Sequence, residues 1–170
     1  MKSMIGLTVL CSVSLAFAGN EHDHAPAKVS PAFESLKALV GTWEGKTKMD
    51  GKDLDVKAVY ELTSGGTAIV EKLNPGTPME MVTVYANNGQ KVNATHYCAL
   101  GNQPQMTLKQ VKGNNFTFEM VGTNGLSNKN EMHMHGVVLS IEGNKLKQEW
   151  TNYKDGKKGE AHTFELAKTM

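Results

Sequence analysis

Two short segments hold the side chains best suited to chemistry, each with alternating spacing. The first is H-Y-C at positions 96–98, which puts an imidazole and a thiol on one face of a strand. Residues two apart on a strand are separated by about 7 Å along the chain. The second is H-M-H at positions 133–135, which repeats this spacing with two imidazoles. Nitrogen and sulfur ligands of this kind suit zinc or copper. The candidate metal ligands are therefore His96, Cys98, His133 and His135.

Other interpretations of these segments remain open. His96 and Cys98 equally fit a hydrogen-bonded histidine beside a small buried thiol. In the second segment the two histidines share the alternation of the apolar residues that follow, so they are candidates for the inner face. Met132 and Met134 alternate with them, and either row could face inward. A bulge near Gly136 would change the register.

Cysteine usage favours binding over catalysis. Cys98 is the only cysteine after residue 18, so an intramolecular disulfide is impossible in that part of the chain. His96 is a plausible base for a thiol nucleophile, but the sequence identifies no orienting Asp or Asn and no oxyanion donor. Catalysis by this cysteine is therefore not the expected function.

Six methionines lie on the predicted strands, and they have two interpretations. Methionine adapts to irregular space, so these side chains either line a cavity for an apolar guest or fill gaps in a core. A methionine-rich copper site would need close Met-x-Met repeats, and the chain has them only at positions 79–81 and 132–134. The six residues are Met79, Met81, Met106, Met120, Met132 and Met134.

The elements that must position these residues are short strands. From position 42 to position 167 the chain alternates apolar and polar residues in ten segments, which are cut by turns such as D-G, N-N-G and K-G-N. The connections are too short for parallel crossovers. This pattern of alternating segments and turns predicts an all-β fold. We expect a single antiparallel up-and-down barrel of about ten strands over residues 30–170, with a short N-terminal helix.

A barrel has an inside, and alternation predicts which side chains point into it. The row Leu54, Val56, Ala58, Tyr60 and Leu62 is expected to face inward. The same rule directs two histidines on different strands, His96 and His162, to the lumen. The predicted ligand-binding residues are Tyr60, His96, Cys98, Met106, Phe118, Gln148 and His162.

The first 18 residues have the layout of a secretory signal peptide. Lys2 is followed by an apolar stretch and the small-residue site A-F-A, so we expect cleavage after Ala18 and a periplasmic or secreted protein. The apolar stretch is too short to span a bilayer, and no second one follows. Residues 19–29 are polar and predict a disordered lead-in, in which His22 and His24 are incidental or bind metal. Ser30 then caps the predicted helix.

The charge balance excludes one class of partner. After residue 18 the chain has 17 lysines, 17 acidic residues and no arginine. Arginine is the usual bidentate ligand of phosphate, and no basic cluster replaces it. Nucleic-acid binding is therefore not expected.

Several segments resemble known barrel families. Residues 33–45 (F-E-S-L-K-A-L-V-G-T-W-E-G) are similar to the opening of lipocalin-like barrels, and their G-x-W-x-G resembles that of the ten-stranded nitrobindin-like haem barrels. Residues 64–68, 75–81 and 95–104 (T-H-Y-C-A-L-G-N-Q-P) resemble a bacterial lipocalin-like family of unknown function. The resemblance implies that Trp43 plugs the base of the barrel. Haem barrels ligate iron through a histidine near the C-terminus, and His162 has that location here.

The sequence thus predicts a barrel that holds a small, largely apolar ligand in its lumen. The alternative is a zinc, copper or haem protein that uses His96, Cys98, His133, His135 or His162. A third class comprises an enzyme acting on the bound guest, or a structural barrel filled by its own side chains. The identity of the ligand and the oligomeric state are left open.

Overall fold

The chain folds as a closed barrel of ten antiparallel strands with one short α-helix. The computed structural model describes residues 27–49 and 51–169. Strands adjacent in sequence are adjacent in the barrel, and the last strand closes on the first. The predicted fold class is confirmed. The elements are α1 (Pro31–Leu36), a 3₁₀ helix (Lys37–Leu39), β1 (Gly41–Met49), β2 (Lys52–Thr63), a second 3₁₀ helix (Ser64–Gly66), β3 (Ala68–Leu73), β4 (Met81–Asn88), β5 (Lys91–Tyr97), β6 (Gln103–Lys112), β7 (Asn115–Asn124), β8 (His133–Glu142), β9 (Lys145–Lys154) and β10 (Lys157–Lys168).

The predicted signal peptide, its cleavage site and the two lead-in histidines lie outside the described residues. In the part of the chain that the structure describes, no helix combines the length and the apolar composition needed to cross a bilayer.

The helix closes one end of the barrel. The side chain of Ser30 accepts a hydrogen bond from the Phe33 amide at 3.2 Å, which caps α1 as the sequence predicts. Phe33 and Leu39 are fully buried against Trp43 and the rest of the core. The indole nitrogen of Trp43 donates to the carbonyl of Leu39 at 2.6 Å. Trp43 is therefore a structural element of this end, which we call the base.

The end of the barrel opposite the helix is formed by connections between strands. The Ser30 amide donates to Asn87 near the end of β4, which places α1 where β4 ends and β5 begins. Because successive strands are antiparallel, the connections β3–β4, β5–β6 and β7–β8 lie at the other end. We call this the open end. The H-Y-C and H-M-H segments both reach it.

Alternation holds in the middle of β2 and fails at its ends. Val56, Ala58 and Tyr60 are buried as predicted, but Leu54 and Leu62 are each 43% exposed. These two leucines lie near the two ends of β2, beyond the packed interior. The prediction that these two leucines lie inside the barrel was therefore wrong. Alternation assigns the face of a side chain but not its depth.

Candidate functional site

A cavity of about 340 Å³ lies at the open end of the barrel. Its wall is largely apolar, with a few sulfur and nitrogen atoms. Three residues predicted to bind ligand line it, namely His96, Cys98 and His162. The full lining is Leu73, Met79, Met81, His96, Cys98, Ala99, Leu100, Met132, Met134, Trp150, His162 and Phe164.

His96 is the most unusual residue of this cavity. It is 1% exposed, and its ring lies 4.6 Å from that of Trp150 between centroids. Its Nδ1 lies 2.9 Å from the hydroxyl oxygen of Thr83, whereas its buried Nε2 has no hydrogen-bond partner. Burial lowers the pKa of His96 to about 4, so the imidazole is neutral at physiological pH. His96 therefore lines the cavity and has one buried ring nitrogen without a partner.

A buried polar network lies next to His96 in the barrel interior. The carboxylate of Glu71 is fully buried and accepts hydrogen bonds from Tyr60 at 2.8 Å, Gln148 at 2.7 Å and Tyr85 at 3.0 Å. Burial raises the pKa of Glu71, and its hydrogen-bond donors oppose that rise. Three donors around one carboxyl group suit the ionised form, which only accepts.

Thr83 connects His96 with this part of the interior. Thr83 is the cross-strand partner of Glu71, and its hydroxyl oxygen lies 2.9 Å from the Nδ1 of His96. In the tautomer that carries its proton on Nδ1, the imidazole donates to Thr83 and the lone pair of Nε2 is unpaired. In that form Nε2 can accept a hydrogen bond or bind a metal ion.

Four of the predicted ligand-binding residues lie outside this cavity. Tyr60 and Gln148 belong to the network around Glu71, where each already has hydrogen-bond partners. Met106 and Phe118 are each 1% exposed within the core. All four point inward, as alternation predicts. The barrel is filled with side chains at their level, and the cavity lies at the open end.

Cys98 lies just after β5, at the edge of the cavity. It is half-buried, and burial raises the pKa of its thiol, while the amides of Ala99 and Leu100 act in the opposite direction. The raised pKa keeps the thiol protonated and does not suit a nucleophile.

The side chain of Asn102 donates to the carbonyl of Met132 at 2.9 Å and so joins two loops of the open end.

His162 contributes one edge to the cavity wall. Its Nε2 lies 3.0 Å from the side-chain nitrogen of Asn152, on the neighbouring strand. The amide nitrogen can only donate, so the lone pair of this Nε2 is already used. An axial bond from that atom to haem iron would require the loss of this contact. The residues around His162 therefore do not fit the haem role that the resemblance implied.

The H-M-H segment turns its histidines away from the cavity. The pairing of β8 with β9 shifts between Met134 and Gly136, which marks the bulge that the sequence left open. Met134 lines the cavity, whereas His133 and His135 do not line it and pack against Tyr153, with His133 only 6% exposed. The two imidazoles approach each other at 3.4 Å between His133 Nε2 and His135 Nδ1.

The four predicted metal ligands are thus divided into two pairs. His96 and Cys98 line the cavity, and the other pair does not join them. Within residues 27–49 and 51–169, no group of three or more His, Cys, Asp or Glu side chains has a metal-binding arrangement. The structure therefore does not bring the four predicted metal ligands together at one place, because the bulge in β8 turns its histidines away from the cavity.

Sequence reasoning missed Glu71 and Thr83. Glu71 alternates with Ile69 and Leu73, which are both buried, so the rule applied to other strands also directs this carboxylate inward. A carboxylate on an apolar face is the signal that could have identified the network. Its link to His96 through Thr83 depends on strand pairing and had no signal in the sequence.

Comparisons with known proteins support the fold alone. No protein family matches the chain, and no curated protein matches it either. Among solved structures, the chain is similar to the crystal structure of Rv2717c from M. tuberculosis, with a TM-score of 0.63. The two share 13% sequence identity over 84% of this chain and 100% of that one. An identity this low supports the barrel architecture and carries no information about function.

Proposed function

We propose that this protein is a periplasmic or secreted barrel that binds a small, largely apolar molecule at its open end. One observation carries the proposal: an apolar cavity is lined by a buried histidine whose Nε2 has no hydrogen-bond partner. Ligand sites are typically apolar clefts with few, well-placed polar groups. Their volumes run from about 300 to 1,000 Å³, so this cavity suits a small ligand.

With its proton on Nδ1, toward Thr83, His96 has a free lone pair on Nε2, and this limits the chemistry of the ligand. A neutral Nε2 without a proton accepts a hydrogen bond and cannot donate one. The preferred ligand is therefore apolar and has one donor group, such as a hydroxyl or an N–H. A ligand whose polar group only accepts would leave the buried nitrogen unpaired, which costs about 1–3 kcal/mol.

Probe binding to the full chain tests this proposal. N-phenyl-1-naphthylamine is apolar and has one N–H, and 1-benzylnaphthalene replaces that N–H by a methylene. We expect both to bind and to change the fluorescence of Trp150, which lines the cavity. His96→Leu should weaken the amine probe about tenfold, the value of one buried hydrogen bond. It should leave the methylene probe within about twofold, since no hydrogen bond is lost.

Ala99→Trp is the blocking variant for this experiment. Ala99 is an exposed residue of the cavity wall, so a larger side chain there fills the opening without disturbing the core. We expect both probes to lose binding, with an unchanged circular dichroism spectrum. Equal probe binding in this variant and in the wild type would refute the cavity as the ligand site. Equal weakening of both probes by His96→Leu would refute the anchoring role of His96.

The proposed location depends on residues 1–18, whose layout is that of a secretory signal peptide. Intact-mass measurement on the protein from its own host should find Gly19 as the first residue. A chain that begins at Met1 in the cytoplasmic fraction would contradict this part of the proposal.

A further inference from the structure

The two Met-x-Met repeats of the sequence meet in the cavity at the open end. Met81 begins β4 and Met134 lies at the start of β8, while Met79 and Met132 lie in the loops just before these strands. These strands are not neighbours in the barrel, yet all four methionines line the cavity. His96 and Cys98 also line it and add an imidazole nitrogen and a thiol sulfur. Six of the twelve lining residues therefore offer a donor atom, whereas the Nε2 of His162 is already in contact with Asn152.

This set of donors has a clear metal preference. Thioether and thiolate sulfur are soft ligands that select copper(I), whereas carboxylates and carbonyls suit magnesium, calcium or manganese. None of the twelve residues that the structure places around the cavity is Asp or Glu. We propose that this cavity binds one copper(I) ion through the Nε2 of His96, the sulfur of Cys98 and methionine thioethers.

His96 has the surroundings of a metal-binding histidine. Such a histidine usually donates its other ring N–H to a carboxylate, a carbonyl or water, which fixes the tautomer and orients the ring. Here Nδ1 lies 2.9 Å from the hydroxyl oxygen of Thr83, a partner that orients the ring. The opposite nitrogen, Nε2, is buried and has no hydrogen-bond partner. His96 lines the cavity, and its ring is already held through its other nitrogen.

The sulfur donors are held on both sides of the cavity. Met81 and Met134 pack against the hydrophobic core, which restricts their side chains. Cys98 and Met132 belong to two loops that the Asn102 hydrogen bond joins at 2.9 Å. As the copper–sulfur bond forms, the Cys98 thiol releases its proton to solvent. The ion enters and stays as copper(I), so no oxidant or reductant is needed.

This inference shares its cavity with the proposed function but does not rest on it. Leucine has nearly the volume and apolarity of methionine and lacks the sulfur atom, so exchange of the two is well tolerated. Met81→Leu/Met134→Leu should therefore keep an apolar cavity and remove two thioether ligands. Binding of N-phenyl-1-naphthylamine by this variant reports the apolar cavity, and binding of copper(I) reports the donor set.

Anaerobic titration of the full chain with copper(I), in competition with the chelator bathocuproine disulfonate, tests the site. We expect one ion per chain in the wild type. Thr83→Val should weaken copper(I) binding about 10- to 100-fold, the usual cost of losing a partner of a metal-bound histidine. His96→Leu should cost at least as much, and Met81→Leu/Met134→Leu should also weaken binding.

Met120→Leu is the matched control. Met120 is half-buried on β7 outside this cavity, so its loss should not change copper(I) affinity. Failure of the wild type to retain copper(I) against the chelator would overturn the proposal. Equal affinity in the wild type, His96→Leu and the methionine double variant would overturn it as well. Retention that depends on His22 and His24 alone, revealed by His22→Ala/His24→Ala, would assign the copper to the lead-in and also overturn it.

Discussion

At the scale of single residues, His96 marks the boundary between a filled interior and an open cavity. Thr83 satisfies one ring nitrogen, and the other is buried without a partner. An unsatisfied buried group costs about 1–3 kcal/mol. The folded protein bears this cost until a donor group or a metal ion meets the nitrogen. Such a cost is a physical reason to associate this residue with binding.

The titration of His96 predicts how stability depends on pH. Burial lowers its pKa from 6.5 to about 4, so between these values the unfolded chain binds a proton that the folded chain does not. The stability linked to this neutral imidazole is present in full above pH 6.5 and is lost as the pH falls toward 4. The loss should be roughly 3 kcal/mol in the free energy of unfolding. Urea unfolding at a series of pH values measures it.

His96→Leu is the control for this pH dependence. The variant lacks the titrating group, so its free energy of unfolding should fall by roughly 3 kcal/mol less than that of the wild type over the same range. Glu71 titrates in the opposite sense, because burial raises its pKa, and it is present in both proteins. The same pH dependence in wild type and variant would contradict the prediction.

At the scale of elements, the bulge in β8 decides which row of side chains reaches the cavity. A Cβ atom added to Gly136 would lie 2.7 Å from the carbonyl oxygen of Phe118 on β7. Glycine permits this close approach, and the register of β8 against β9 shifts at the same place. After the shift Val137 returns to the core. The methionines thus face the cavity and the histidines do not.

Closure of the barrel depends on a second place where two strands come very close, here β1 and β10. A Cβ atom on Gly45 of β1 would collide with the carbonyl oxygen of Glu165 on β10. We therefore expect Gly45→Ala to lower the free energy of unfolding by about 1–3 kcal/mol, the usual cost of overpacking. Chemical denaturation followed by circular dichroism measures this change.

Gly122→Ala is the matched control for closure. A Cβ atom there would meet only the side chain of Gln105, at an ordinary 3.7 Å. Its free energy of unfolding should stay within about 0.5 kcal/mol of the wild type. Similar losses in the two variants would mean that general strand propensity, and not contact between β1 and β10, controls stability.

At the scale of the whole molecule, the two ends of the barrel are packed differently. The helix and Trp43 close the base with apolar packing. The middle is filled by core side chains and by the hydrogen-bonded network around Glu71. Space remains at the open end, where the loops that follow β3, β5 and β7 supply much of the wall. The barrel therefore positions a small site at one end and does not enclose a continuous tube.

The sequence by itself determined the features that depend on neighbours along the chain. Alternation and turn residues predicted ten antiparallel strands, because a period of two and short connections leave few other arrangements. Ser30 was predicted correctly as the helix cap, since capping is a local signal, and Trp43 lies at the base as the resemblance to lipocalin-like barrels implied. Alternation also directed His96, Cys98 and His162 inward.

Only the tertiary structure decided how deep each inward side chain lies and which strands it meets. Tyr60 and Gln148 point inward as predicted, but they bind Glu71 because strands distant in sequence lie together at that level. The bulge in β8 turned His133 away from the cavity, since one extra residue reverses the facing of a strand. Two methionine pairs about fifty residues apart share one cavity. Closure of the sheet, which no short segment encodes, brings them together.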